Sequence, residues 1–146
     1  MRDSLSRVQI KRAHSPYYYS ADNVWISEII DLQGYDSCYF AMATGDLADA
    51  NATFAALLQE SDNSNFSSAN DVADADMVSQ TRGTAPETAA SFQFDDDNEV
   101  RSIGYIGNKR YVRLYVTASG NTGVALLSVT AHLGLAAHEP ITHGAS

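Results

Sequence analysis

Residues 100–133 decide the fold: VRSIGYI (100–106), GN (107–108), KRYVRLYVTAS (109–119), GNTG (120–123) and VALLSVTAHL (124–133) are three β-favouring runs divided by two glycine-containing turns. In the middle run Val112, Leu114 and Val116 fall on one side of an extended chain and Tyr111, Arg113 and Tyr115 on the other. The first set is a core face. The second is amphipathic, suited to a partner or to cover by another segment. Gly107-Asn108 reads as a type I′ turn, because both positions tolerate positive φ, and it sets Lys109 and Arg110 at the start of the next strand. These two bases then have two candidate partners: carboxylates of another protein, or the run Asp95, Asp96, Asp97 and Glu99 of the same chain.

Upstream the same grammar continues. A short strand is expected over 24–31, a turn at Leu32-Gln33-Gly34, a strand over 35–44 and a polar turn over 45–51. Residues 53–60 have apolar spacing that suits helix or strand, and the flanking turns favour strand. Residues 61–87 are rich in Ser, Asn, Asp, Ala and Thr, with only Phe66, Val72, Met77 and Val78 as large apolar anchors. That length marks a surface excursion, with a helical turn near 69–77. About six short strands without a strong amphipathic helix, repeat or heptad pattern make an all-β protein, an antiparallel β-sandwich or jelly roll. At 146 residues the chain is one domain: a body over 24–135, an extended N-terminal arm over 1–23 and a C-terminal tail over 136–146.

The arm reading rests on the absence of a period, on Pro16 and on Tyr17, Tyr18 and Tyr19 in succession. Successive extended residues point to opposite sides, so at least one of the three tyrosines meets solvent or another chain. An edge strand of the same domain is the equal alternative. Charge is segregated as well. Residues 1–13 hold four bases and one acid, residues 22–99 sixteen acids and one base, and residues 100–116 four bases and no acid. A net charge of -9 excludes general nucleic-acid binding, while a basic arm on an acidic body suits contact with an acidic neighbour in an assembly. The chain carries no apolar leader and no membrane-length apolar run, so neither secretion nor membrane insertion is expected.

Reaction chemistry is not signalled. Cys38 is the only cysteine and lies in an apolar run, as a buried thiol does. His132, His138 and His143, spaced by six and five, read as tail histidines rather than zinc ligands, and His14 has no partner nearby. The acidic runs Asp95–Glu99 and Asp71, Asp74, Asp76 lack the spacing of a calcium loop. Phosphate loops, nucleophile elbows and paired-cysteine motifs are absent, so no enzyme activity, metal or cofactor is expected. The sequons at Asn51 and Asn65 carry no chemistry without secretion.

Four segments together carry a resemblance: IDLQGYDS (30–37), LLQESD (57–62), DAD (74–76) and above all GYIGNKRYVR (104–113). Over residues 29–140 their order resembles small virion proteins of tailed bacteriophages encoded with the head genes, the capsid cement or decoration proteins. The resemblance implies a β-rich domain on the capsid exterior that binds the major capsid protein, bridges neighbouring subunits and self-associates as a dimer or trimer. It implies synthesis in the bacterial cytoplasm and no cofactor. Candidate contact residues are Arg7, Lys11, Arg12, Tyr17, Tyr18 and Tyr19 of the arm, with Lys109, Arg110, Tyr111 and Arg113 of the turn and strand. The arm itself lies outside the resemblance. A head-tail connector, a spike or fibre base and a tail-tube component are the alternatives within the particle. A carbohydrate-binding β-sandwich, stacking sugars on Tyr111, Tyr115 or Trp25, is the alternative outside it, although Trp25 reads more simply as core.

Overall fold

Alternation along the last three runs is realised as two antiparallel sheets in a computed structural model, which describes residues 3–144. The strands are β1 (Val8–Tyr19), β2 (Val24–Ile26), β3 (Ile30–Asp31), β4 (Tyr35–Leu47), β5 (Thr53–Ser61), β6 (Asn70–Asp71), β7 (Met77–Ser79), β8 (Phe92–Gln93), β9 (Val100–Tyr105), β10 (Tyr111–Ser119) and β11 (Ala125–Ala136). A five-residue helix, α1 (Pro86–Ala90), begins with proline at its first position. The first sheet runs β1-β11-β4-β9-β7; the second runs β2-β10-β5-β6, with β3 also on β10 and β8 also on β5. The protein is an all-β sandwich.

Val112, Leu114 and Val116 are fully buried and face Phe40, Met42, Leu127 and Leu133 of the other sheet. Trp25 is core, edge-on to Phe54 (centroids 5.9 Å apart), which stacks on Phe92. Each such side chain contributes about 1.5–3 kcal/mol through its removal from water. Cys38 is buried, and burial pushes its thiol up to about 12.

Three expectations are corrected. The runs β9, β10 and β11 do not form hairpins, because β10 lies in the opposite sheet from its two sequence neighbours. The Gly107-Asn108 link therefore crosses between sheets, and neither residue has positive φ. Glycine is needed at 107 for a different reason: a Cβ there would lie 2.5 Å from the Tyr105 hydroxyl. That hydroxyl donates to Glu60 (2.6 Å) and accepts the Lys109 N–H (2.8 Å), fixing the crossover.

The second correction concerns the arm. Residues 8–19 form β1, paired with β11 from Val8↔Gly134 to Tyr19↔Ala125, with register shifts between Arg12 and Tyr17. Those shifts erase the two-residue period, and an edge strand tolerates Pro16. The third concerns residues 61–87, which are not a surface excursion. They supply β6 to one sheet and β7 to the other, bury Phe66, Val72 and Met77, and contain a 3₁₀ turn at Asp74–Asp76. α1 then closes the flank of β5. Between β6 and β8 the Leu58 N–H donates to the Glu87 carboxylate and the Ala56 N–H to Ser91 Oγ, both at 2.9 Å. That sheet edge is covered.

The tail extends β11 to Ala136, after which the Ala137 N–H donates to the Gly34 carbonyl and the Ile141 N–H to the Ser6 carbonyl. Among the described residues no helix is long and apolar enough to cross a membrane.

Candidate docking surfaces

The ten residues expected to make contacts separate into two groups. The cations are largely engaged within the chain. Arg110 makes a two-pronged contact with Asp31 (2.9 and 2.7 Å) while its guanidinium lies 5.0 Å from the Tyr111 ring centroid. Hydrogen bonding from Arg110 holds the Asp31 carboxyl below its ordinary range. Lys109 reaches Asp62 (2.6 Å), Arg12 reaches Glu28 (2.6 Å) and Arg7 lies 4.0 Å from Glu139. Arg113 is held between the rings of Phe66 (4.2 Å) and Tyr115 (4.7 Å) and donates to Gln59. Lys11 lines the opening between β1 and β3 beside Gln9 and Ile30.

Lys109 and Arg110 thus pair inside the chain, yet with Asp62 and Asp31 rather than with the acidic run at 95–99. That run has its own cation, since Arg101 bridges Asp96 and Glu99 at 2.7 Å each. Asp97 accepts the Leu47 N–H (2.7 Å). The outer face of the six-stranded sheet is consequently a self-satisfied mosaic of guanidinium, aromatic ring and carboxylate. Its arginines lie over Tyr111 and Tyr115, and Trp25 is 1% exposed, so the three aromatic platforms proposed for sugar stacking are covered or buried.

The tyrosines behave differently from the cations and from one another. Tyr19 packs edge-on against Trp25 (4.8 Å) and anchors β1. Tyr17 and Tyr18 are 53% and 55% exposed. Tyr17 lines a cleft of about 350 Å³ with Arg12, His14, Tyr19, Ile26 and Glu28, on the flank where β1 meets β2. β1 is also the terminal strand of its sheet, and no strand pairs with its outer side from Val8 to Arg12 among the described residues. This edge carries Arg7, Lys11 and Arg12 in a chain of net charge -9.

Tyr18 belongs to a second surface, the outer face of the five-stranded sheet. Its cross-strand registers give rows that can be read across the sheet. One row runs Ile10, His132, Tyr39, Gly104 and Val78; the next runs Arg12, Thr130, Ala41 and Ser102; a third runs Ser128, Ala43 and Val100; and Tyr18 sits opposite Leu126. These outward positions hold no Asp or Glu and one formal charge, Arg12, which is turned to Glu28. Six of the fourteen large apolar side chains exposed among the described residues lie here. Water-facing sheet positions ordinarily alternate apolar-in with polar-out, so a face this uncharged is suited to being covered.

His132 lies near its middle, not in a tail. Its ring stacks on Tyr39 (4.6 Å, 4° between planes), its Nε2 is 3.0 Å from Thr130 Oγ1, and partial burial lowers its pKa. Gly104, lacking a side chain, leaves a mostly apolar cleft of about 340 Å³ between Tyr39 and Val78.

The sequence did carry a signal for this face. Residues 37–45 of β4 and 125–136 of β11 contain no Asp, Glu, Lys or Arg, although 27 of 146 residues are charged. Alternation was legible as a core face; the uncharged half of each alternation was the unread part. Among the described residues no group of three or more His, Cys, Asp or Glu is placed to hold a metal ion. No protein-family model matches the chain, and no curated protein matches it significantly.

Proposed function

We propose that this chain is a structural protein of a tailed-bacteriophage particle, which binds the outside of the capsid and bridges neighbouring copies of the major capsid protein. The observation that carries this reading is the β1 edge: a strand with no partner on its outer side from Val8 to Arg12 and with Tyr17 and Tyr18 exposed beyond, in an acidic molecule whose β5 edge is closed by α1, β6 and β8. Proteins normally blunt such edges, and an open one is a template for an added strand or a docking partner. Tyr17 and Ile26 supply apolar area with a polar rim, the composition of a protein interface. The order of motifs from 29 to 140 supplies the phage context.

In this role the protein does mechanical work. It binds the assembled shell and not the dissociated subunits, so its binding free energy adds to the stability of the shell by linkage. Binding across two subunits makes the second contact intramolecular, so individually weak contacts suffice. The cations that pair within the chain stabilise this fold and leave Tyr17, Ile26 and Lys11 as the contact set.

The test is binding of the purified chain to shells lacking it, read by co-sedimentation and by the temperature at which shells break. The native chain raises that temperature, and the double variant Tyr17→Ser with Ile26→Ser binds at least about tenfold more weakly, since each buried aromatic or aliphatic anchor is worth more than about 1 kcal/mol. Equal binding by native and variant chains would remove the β1 edge from the account; absence of binding by the native chain would remove the capsid.

A further inference from the structure

We infer that the outer face of the five-stranded sheet is where two copies of this chain meet, back to back about a twofold axis. The inference rests on the chemistry of this surface alone and stands independently of the capsid reading.

Charge selects the occupant. Two copies at net charge -9 repel, and a pairing through their acidic loops sets carboxylates against carboxylates. On this face the outward positions of the paired registers hold no carboxylate, and the acids on these strands, Asp36 and Asp46, lie beyond Ser37 and Gly45 at the two ends of β4. Face-to-face association keeps the acidic loops at the periphery, where water screens them.

The face is compatible with a twofold. Ile10, Tyr18 and Leu126 lie on β1 and β11. Ala41, Ala43, Ser102 and Gly104 lie on β4 and β9, with the cleft between Tyr39 and Val78. A twofold axis parallel to the strands brings the β1 side of each copy over the β9 side of the other, so that every contact occurs twice. Strands spaced about 4.8 Å apart and rising about 3.4 Å per residue give four paired strands a footprint of about 600–800 Å². That matches the roughly 800 Å² per partner of a specific interface. The apolar side chains Ile10, Tyr18, Val78, Val100 and Leu126 frame a centre of small and hydroxyl side chains, Ala41, Ala43, Ser128 and Thr130, and that centre is free of charge, as the core of such a contact is.

The experiment is analytical ultracentrifugation of the full chain at neutral pH from about 1 to 200 µM, the range over which an interface of this size associates. The native chain is expected to populate a dimer. Ala41→Asp places one carboxylate from each copy inside the contact and weakens dimerisation at least about 100-fold, because buried like charges cost several kcal/mol. Ser128→Asp, one strand away, does the same and covers the case in which Ala41→Asp does not fold. Ser119→Asp, on the outer face of the other sheet, leaves the dissociation constant unchanged. Circular dichroism shows each variant folded, since all three positions point outward. A native chain that remains monomeric at every concentration, one that forms a trimer, or a dimer indifferent to both face variants would overturn the inference.

Discussion

The two outer faces of this sandwich solve the same problem in opposite ways. Both belong to sheets whose inner faces are packed with Leu, Val, Phe and Met, and both must leave their outer faces compatible with water. The face over β10 and β5 does so within the chain: Arg110 lies on Asp31 and Tyr111, and Arg113 between Phe66 and Tyr115. The face over β11 and β4 carries Tyr39, Ala41, Ala43, Ser128, Thr130 and His132, with no acid among them. The comparison teaches that residue type alone does not mark an interface. Arginine beside tyrosine is typical contact chemistry, yet here it is spent internally, while small uncharged residues leave the surface still to be covered.

The largest expected effect comes from the wall both faces share. Trp25→Ala removes the ring that holds Phe54 of the six-stranded sheet and Tyr19 of the five-stranded one, and costs about 3–5 kcal/mol, read by chemical denaturation. A cost under about 1 kcal/mol would mean that the faces do not depend on a common core.

Next is the edge contrast. Glu87→Ala leaves the Leu58 N–H without its acceptor and uncovers β5, costing about 1–3 kcal/mol and making the protein more prone to aggregate, as light scattering would show. Burial raises the Glu87 pKa, so protonation is easier in the fold than in the unfolded chain. Its own contribution therefore grows as pH falls, opposite in sign to that of Asp31. The depressed Asp31 pKa gives stability that is present above its ordinary value of 3.8 and lost as pH falls through the folded value. Replacing Asp31 by Asn flattens the acid limb of a melting curve, and an unaltered limb would deny that the pair contributes.

The smallest effect sharpens the face comparison. His132 has a lowered pKa from burial against Tyr39, beside Thr130 and opposite Ile10, with Arg12 the cation among the outward positions of the register and Lys11 on the other side of β1. Above its ordinary pKa of 6.5 it is neutral folded or unfolded. As pH falls below 6.5 the unfolded chain takes up the proton first, so stability declines until the folded pKa is passed. His132→Gln is expected to melt with less dependence on pH between about 7 and 5, the range in which histidine titrates. Equal slopes would contradict the burial seen on this face.

Much of this fold is legible in the chain. Val112, Leu114 and Val116 announce a core face, the strands around 35–44 and 53–60 stand where turn residues place them, and Trp25 and Cys38 are buried as apolar context implies. What is not legible is which strands pair. Gly107-Asn108 has hairpin chemistry, but the close approach of the Tyr105 ring, a tertiary contact, is what requires the glycine. β1 hides behind its register shifts, and the 61–87 segment behind polar composition that conceals three buried anchors. For the same reason, deleting residues 1–21 would remove a strand of the sheet rather than a detachable arm, and point variants are the proper probes of the edge. Of the residues expected to make contacts, the exposed tyrosines are readable from alternation; the internal partners of Lys109, Arg110 and Arg113 depend on chain segments that only folding brings together.

The central claim, a protein that covers a shell, is tested most directly by counting its copies in purified phage particles against the major capsid protein by quantitative mass spectrometry. The account predicts a simple ratio to the major capsid protein, and hence hundreds of copies per particle. A dozen copies or fewer, or none, would contradict it and place the protein at a vertex, in the tail or outside the virion.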